Sequence, residues 1–351
     1  MMKIGICGHY GGENSLNGQT VKTKIITNEL INHYGKNEIL CFDSSGGFKK
    51  IFKHICGVLN LLRTCDNVII LPAHNGLRVF APILAFANKF YKKKLHYIVI
   101  GGWLPEFLKK RKHLSKSLKK FDYIYTETST MKKVLERQGF NNIVILPNCK
   151  KLNILKQNEL IYCTNEPYKL CTFSRVMKEK GIDDAVEAVK YINDKYGRTC
   201  YALDIYGQVD SNQTEWFNEI KKSFPDYIKY CGTVEFDKST EVLKNYYALL
   251  FPTHFKTEGI PGTIIDAYAS GVPVISAKWD SFDDIIDDNI TGFGYSINNV
   301  DELINILLSL LSANLSDIKL SCLREAEKFN VDKVILNLCD KIGQQKYKGE
   351  I

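Results

Sequence analysis

None of the eleven cysteines forms a C-x-x-C pair, and none of the seven histidines an H-x-x-x-H pair. A zinc ribbon or a disulfide framework is thereby excluded, scattered cysteines suit reduced and mostly buried thiols, and no protein-built metal site is expected. Also missing is any apolar run of the about 18 residues that a membrane-spanning helix needs; stretches such as VFAPILAFA after Arg78 are half that length. The first residues lack a basic start followed by an apolar core, so no signal peptide is expected and the chain should stay in the cytoplasm. The glycines that follow the first apolar run, Gly8, Gly11, Gly12 and Gly18, do not fit the G-x-G-x-x-G spacing of a dinucleotide site, which argues against a dehydrogenase. No internal repeat or low-complexity tract interrupts the sequence.

What is present is a long alternation of apolar runs with helix-compatible stretches. Strands are expected at Lys3–Cys7, Ile39–Phe42, Asn67–Leu71, His96–Ile100, Tyr123–Thr126 and Ile143–Leu146. They are expected again at Leu170–Phe173, Leu203–Tyr206, Tyr227–Tyr230, Ala248–Phe251, Val272–Ser276 and Phe293–Tyr295. Such alternation implies parallel sheets covered by helices. With 351 residues, 45% of them hydrophobic, the chain exceeds what one core supports, so two doubly wound α/β domains follow. The expected boundary lies after Leu146-Pro147-Asn148. It gives an amino-terminal domain over residues 1–150 and a second over 151–330, with a final helix of about 331–351 packing back onto the first. Ligands of such sheets bind beyond the carboxyl ends of the strands.

The segment FPTHFKTEGIPGTIIDAYASGVPVIS, Phe251 to Ser276, reads as strand, polar loop, helix, strand. Gly259, Pro261, Gly262 and Thr263 open the helix, whose first N–H groups and positive dipole end can hold a phosphate. Glu258 precedes that turn, and Asp266 follows it after seven intervening residues. With a helix starting near Gly262, Asp266 lies about one turn in, so both acids can face one ligand. A phosphate flanked by hydroxyl-binding carboxylates describes a nucleotide-sugar.

This segment resembles the E-x7-E region of family 4 retaining glycosyltransferases, the type found in bacterial surface-polysaccharide synthesis, here with Asp266 in place of the second Glu. The resemblance implies the GT-B fold, two Rossmann-like domains facing each other across a cleft, the first on the acceptor side and the second holding the donor. It implies that Glu258 hydrogen-bonds the donor sugar, that Asp266 holds the ribose, and that backbone from Gly259 through Ile264 contacts the diphosphate. The stretch TFSRVMKEKGIDDAVEA, Thr172 to Ala188, resembles the family's Gly-Arg…Glu-Lys-Gly element, with Ser174 in the Gly position. Arg175 and Lys180 would then neutralise the diphosphate as charge builds on it, with Lys178 as a competitor for the second role. The loop after the first strand resembles the family's Gly-Gly loop, which makes Gly11 and Gly12 donor-side candidates and Asn17 and Gln19 acceptor-side ones. LPNCKK resembles the Pro-Asn-Gly linker, with Cys149 replacing Gly. At Gly101-Gly102-Trp103 many relatives carry a histidine, absent here. Trp103 and His74, in LPAHNG, are further acceptor-side candidates.

Charge is divided unevenly. Residues 1–150 carry 24 Lys and Arg against 9 Asp and Glu, and residues 151–351 carry 23 against 30. The run LKKRKHLSKSLKK, Leu108 to Lys120, placed on one helix, alternates Leu108, Leu114 and Leu118 with cations and suits an anionic membrane surface. Lacking interleaved aromatics and any nucleic-acid module, it does not indicate DNA or RNA. The reading that results is a retaining, metal-independent transfer of a hexosyl or acetamidohexosyl group from a nucleoside diphosphate sugar. The acceptor is a saccharide on a lipid diphosphate, at the inner face of the plasma membrane, and no cofactor is required. Two alternatives stay open: a nucleotide-sugar 2-epimerase on the same fold and a non-catalytic nucleotide-sugar binder.

Overall fold

The computed structural model describes residues 2–11, 18–46 and 51–344. The chain divides into two units, Met1–Lys150 with Val331–Ile351, and Lys151–Asn330. In the first, β1 (Ile4–Gly8), β2 (Ile39–Asp43), β3 (Asn67–Ile70), β4 (Lys94–Ile98), β5 (Tyr123–Thr126) and β6 (Ile143–Ile145) alternate with α1 (Gly18–Tyr34), α2 (Ile51–Thr64), α3 (His74–Tyr91), α4 (Leu104–Lys109), α5 (Lys112–Leu118) and α6 (Ser129–Arg137). The strands form one parallel sheet in the order β2-β1-β3-β4-β5-β6.

The second unit repeats the plan. It contains β7 (Tyr168–Phe173), α7 (Ile182–Tyr196), β8 (Tyr201–Tyr206), α8 (Thr214–Lys221), β9 (Ile228–Gly232), α9 (Ser239–Leu243), β10 (Ala248–Phe251), α10 (Gly262–Ala269), β11 (Val274–Ala277), β12 (Gly292–Tyr295), α11 (Val300–Leu310) and α12 (Ser316–Ala326). Its parallel order is β12-β11-β10-β7-β8-β9. The last helix, α13 (Val331–Gly343), belongs to the first unit.

Every apolar run read as a strand forms one, within two residues at its start. The reason is burial on both faces: Ile4 and Ile6 pack with α1 and α13, while Cys7 packs on the opposite side with α2 and α3. Strands covered on both faces read as continuous apolar runs, and each fully buried Leu or Ile contributes about 1.5 to 3 kcal/mol. Four strands, β4, β7, β8 and β11, start two residues from the expected position, and for two of them the reason is local. β4 starts at Lys94, whose N–H donates to the Asp66 carbonyl. β11 starts at Val274 because Val272 N–H instead closes the end of α10 on the Ala267 carbonyl at 2.8 Å.

The basic run Leu108–Lys120 is not one helix. It breaks between α4 and α5 at Arg111, whose φ is −131° and ψ 63°. Leu108, Leu114 and Leu118 are buried in the first unit's core, so they offer no apolar face to a membrane. Arg111 is held inward by stacking on the Phe107 ring at 3.8 Å and by donating Nη1 to the Phe107 carbonyl. No described helix is long and apolar enough to cross a membrane.

Candidate active site

In the second unit the strand order reverses at β7, which lies between β10 and β8. A crevice beyond the carboxyl ends of strands forms at such a switch point. The segment after β7 carries Arg175 and Lys180, and the segment after β10 carries Thr253 and Glu258.

These two segments are joined. Lys180 Nζ donates to Glu258 Oε1, and Thr253 Oγ1 donates to the same oxygen at 2.9 Å. The ammonium also lies 5.1 Å from the Phe251 ring centre and 5.2 Å from that of Phe255. His254 N–H donates to the Glu179 carbonyl, and His254 Nε2 lies 2.9 Å from Asp184 Oδ2 at the start of α7. Gly181 makes this approach possible: with φ of +65° it packs against the Pro252 carbonyl, where a Cβ would overlap it. Lys178 goes elsewhere, 5.8 Å from the Trp216 ring centre, with its N–H donating to Gln213 Oε1. Gln213 also donates to Glu179, which holds that carboxyl below its usual pKa.

Arg175 is half exposed, and its Nη1 lies 3.4 Å from Asp210 Oδ2. The backbone around it is braced by the loop after β8: Val176 N–H donates to Gln208, and Asp210 N–H returns to Val176. Gly207, at φ of +135°, lets this loop close on Ser174, whose carbonyl would meet any Cβ there.

α10 begins at Gly262 as expected, with Pro261 preceding it and no side-chain cap. First-turn N–H groups of a helix lack intrahelical partners, which applies to Gly262 and Thr263. Ile264 differs, because its N–H donates to the Pro261 carbonyl and its side chain is in the core. The Thr263 hydroxyl is buried without a partner among the described residues. Gly259 is buried, and Asp266, one turn into α10, is 6% exposed.

In the first unit, order reverses at β1, between β2 and β3. A cavity of about 270 Å³ opens there, lined by residues after β1, β2 and β3 that include His9, Gln19, Ser44, His54, His74 and Asn75. His74 stacks on Trp103, with ring centres 3.8 Å apart, and meets Phe107 edge-on. Trp103 Nε1 is fixed by the Ile100 carbonyl at 2.7 Å, and Gln19 Nε2 donates to the Leu71 carbonyl. Partial burial and the Arg111 charge push the His74 pKa down. Gly11 takes φ of +62° just past β1, whereas Gly12 and Asn17 lie outside the described residues. Beneath the Gly101 turn lies a buried pair, Lys22 Nζ and Glu127 Oε1 at 2.5 Å, with Gly101 N–H donating to that oxygen at 3.3 Å.

Thr253, Asp184, His254, Asp210, Lys22 and Glu127 were not anticipated. Gly207, directly after an apolar run, was the one local signal for the β8 loop. Among the described residues no group of three His, Cys, Asp or Glu side chains is placed to hold a metal ion.

Two units, each built on a six-stranded parallel sheet with the switch-point loops just described, have the GT-B fold. Residues 167–313, within the second unit, match the family described as "Glycosyl transferases group 1". Anabaena HepE, solved in complex with UDP and glucose, superposes with a TM-score of 0.74 at 13% identity, over 98% of this chain and 100% of that one. The lipopolysaccharide outer core galactosyltransferase WaaB superposes at 0.70 with 18% identity, over 97% and 99% of the two chains. Sucrose-phosphate synthase from Thermosynechococcus elongatus superposes at 0.71 with 11% identity, over 97% and 98%. Among curated sequences, the amylovoran biosynthesis glycosyltransferase AmsK of Erwinia amylovora is 24% identical over 155 residues, 42% of this chain. The match spans about a third of that relative's length, 36%.

Proposed function

We propose that this chain is a retaining glycosyltransferase that moves a hexosyl or acetamidohexosyl group from a nucleoside diphosphate sugar to a hydroxyl of a saccharide. The observation that carries the reading is the Lys180 to Glu258 contact at the β7/β10 switch point, beside the uncapped start of α10. Without donor, the ammonium and the carboxylate satisfy each other. With donor, Lys180 and Arg175 turn to the diphosphate, the N–H groups of Gly262 and Thr263 complete its cradle, and Glu258 accepts from a sugar hydroxyl. Asp266 is assigned to the ribose.

In the transfer itself, the bond from the anomeric carbon to the diphosphate oxygen breaks and a bond to the acceptor oxygen forms on the same face. The departing phosphate oxygen takes the acceptor proton. Cations held where charge develops supply much of the acceleration. UDP is the first nucleotide to test, given the ligands of HepE. The His74 and Trp103 stack offers an apolar platform for an acceptor sugar. A lipid-diphosphate-linked acceptor at the inner membrane face fits the basic first half, and polysaccharide synthesis fits the likeness to AmsK.

The test is a panel of UDP- and GDP-sugars with purified protein and glycolipid acceptors, following transfer by mass and product stereochemistry by NMR. Transfer with the donor's anomeric configuration kept, undiminished in EDTA, is expected. An inverted product or a requirement for magnesium or manganese overturns the corresponding part. Binding without transfer or donor hydrolysis reduces the chain to a nucleotide-sugar binder.

A further inference from the structure

A second cavity, of about 290 Å³, lies in the Lys151–Asn330 unit. Its lining includes Tyr162, Cys163 and Thr164, ahead of β7, Tyr247, ahead of β10, and Ser316 and Lys319 on α12. It therefore sits at the amino ends of the two strands whose carboxyl ends lead to Lys180 and Glu258.

Lys319 is 2% exposed, and its Nζ donates to the Gly271 carbonyl at 3.2 Å. Among the described residues it forms no ion pair. An ammonium offers three donors, and a buried charge without a counter-charge is costly. Burial pushes the Lys319 pKa down, and the other groups acting on it are the thiols of Cys163 and Cys322, with no carboxylate among them. The opening of α12 adds a second, independent attraction for negative charge. The helix has eleven residues, and Ser316 at its start lines the cavity with Asn314, whose Oδ1 accepts from the Ser316 N–H at 2.9 Å and from its hydroxyl at 2.6 Å, so the later first-turn N–H groups are the ones left for a ligand. A helix start and a buried ammonium one turn later, facing one cavity, form an oxyanion site. The exposed Asp317 carboxylate lies in the same first turn.

We propose that this cavity binds a small phosphate-type oxyanion, with Lys319 as its counter-ion and the first-turn N–H groups of α12 beyond Ser316 and the Thr164 hydroxyl as donors. The site is separate from the donor site, and its occupancy stabilises the end of the sheet from which β7 and β10 rise.

The experiment is thermal unfolding of the full chain against inorganic phosphate, with sodium chloride at matched ionic strength. A ligand that binds only the folded state raises Tm with the logarithm of its concentration. Wild type is expected to show this rise, Lys180→Ala to keep it, and Lys319→Met to lose it. Cys163→Asp, which supplies a carboxylate inside the cavity, is expected to raise Tm without phosphate and to abolish the further phosphate effect. An equal rise in Lys319→Met and wild type overturns the site, as does no rise in wild type. Loss of the rise in Lys180→Ala assigns phosphate to the donor site instead and also overturns it. If Lys319→Met does not fold, Cys163→Asp decides: a phosphate response equal to wild type overturns the site, and its absence supports it.

Discussion

Gly181 and Pro252 are packed so closely that the space for a Cβ at position 181 is already filled by the Pro252 carbonyl oxygen. Seventy-one residues apart in sequence, they bring the turn after β7 onto the loop after β10, and Lys180 meets Glu258 as a result. The Lys-Gly pair is thus one device, with the glycine setting the distance and the lysine using it.

Gly181→Ala should therefore cost about 2 kcal/mol or more, combining the roughly 1 to 2 kcal/mol of a left-handed non-glycine residue with the overlap itself. Gly197 is the control, because it has φ of +61° with open space around its Cβ position. Gly197→Ala should lose the backbone term alone, about 1 kcal/mol. Urea unfolding of both variants checks the difference, and equal losses would remove the packing role of Gly181.

Glu258→Ala and Arg175→Ala should each reduce kcat/KM by roughly 2 to 4 kcal/mol of transition-state stabilisation, with folding intact. Lys180→Ala combined with Glu258→Ala should cost less than the two single losses together, because each single change strands the partner's charge. Steady-state kinetics over the four-member cycle measures this. Simple additivity would show that the pair does not act as a unit.

His74 gives a pH prediction. Its folded pKa lies below the ordinary 6.5, so the unfolded chain binds the proton more readily. The contribution is fully present above 6.5 and is lost as pH falls from there toward the folded value. His74→Phe, which keeps a ring against Trp103, should lose less stability than wild type when pH is lowered through that window. Parallel pH titrations of Tm test it, and identical slopes would contradict it.

Vesicle binding through the Leu108–Lys120 run should be purely electrostatic, since Leu108, Leu114 and Leu118 are committed to the core. Neutralising Lys109, Lys110, Lys112 and Lys116 together, leaving Arg111 on its Phe107 ring, should release the protein from anionic vesicles at about 1 kcal/mol per charge. Wild-type binding should itself fall away as salt is raised. Co-sedimentation at two salt concentrations checks both, and salt-resistant binding would point to an apolar contact elsewhere.

The fold was readable because parallel strands buried on both faces print their positions as unbroken apolar runs, and β5 and β10 fall where those runs stand. The start of α10 was readable for a related reason: Gly259-Ile260-Pro261-Gly262 ahead of an apolar helix leaves few other conformations. The pairings were not. Lys22 and Glu127 are 105 residues apart, and nothing local distinguishes them from solvated charges. Lys178 and Lys180 are told apart in the sequence only by the glycine that follows the second, and the backbone turn at Gly181 decides which one reaches Glu258. The leucines of the basic run misled in the opposite direction, since the spacing that makes an amphipathic face for lipid also makes one for a core.

The return of α13 to the first unit has a consequence for how the chain is made. Val331, Val334, Ile335, Leu338, Cys339 and Ile342 complete the same cluster as Ile4, Ile6, Ile26 and Leu30. On a ribosome, those early residues emerge long before their partners, with all of Lys151–Asn330 translated in between. At about 5 to 20 residues per second, that segment alone takes roughly 9 to 36 seconds. Throughout that interval the first sheet carries an apolar face that α1 covers only in part, while the second unit, contiguous in sequence, can close its own core. The first-made half of this protein is the last to be finished.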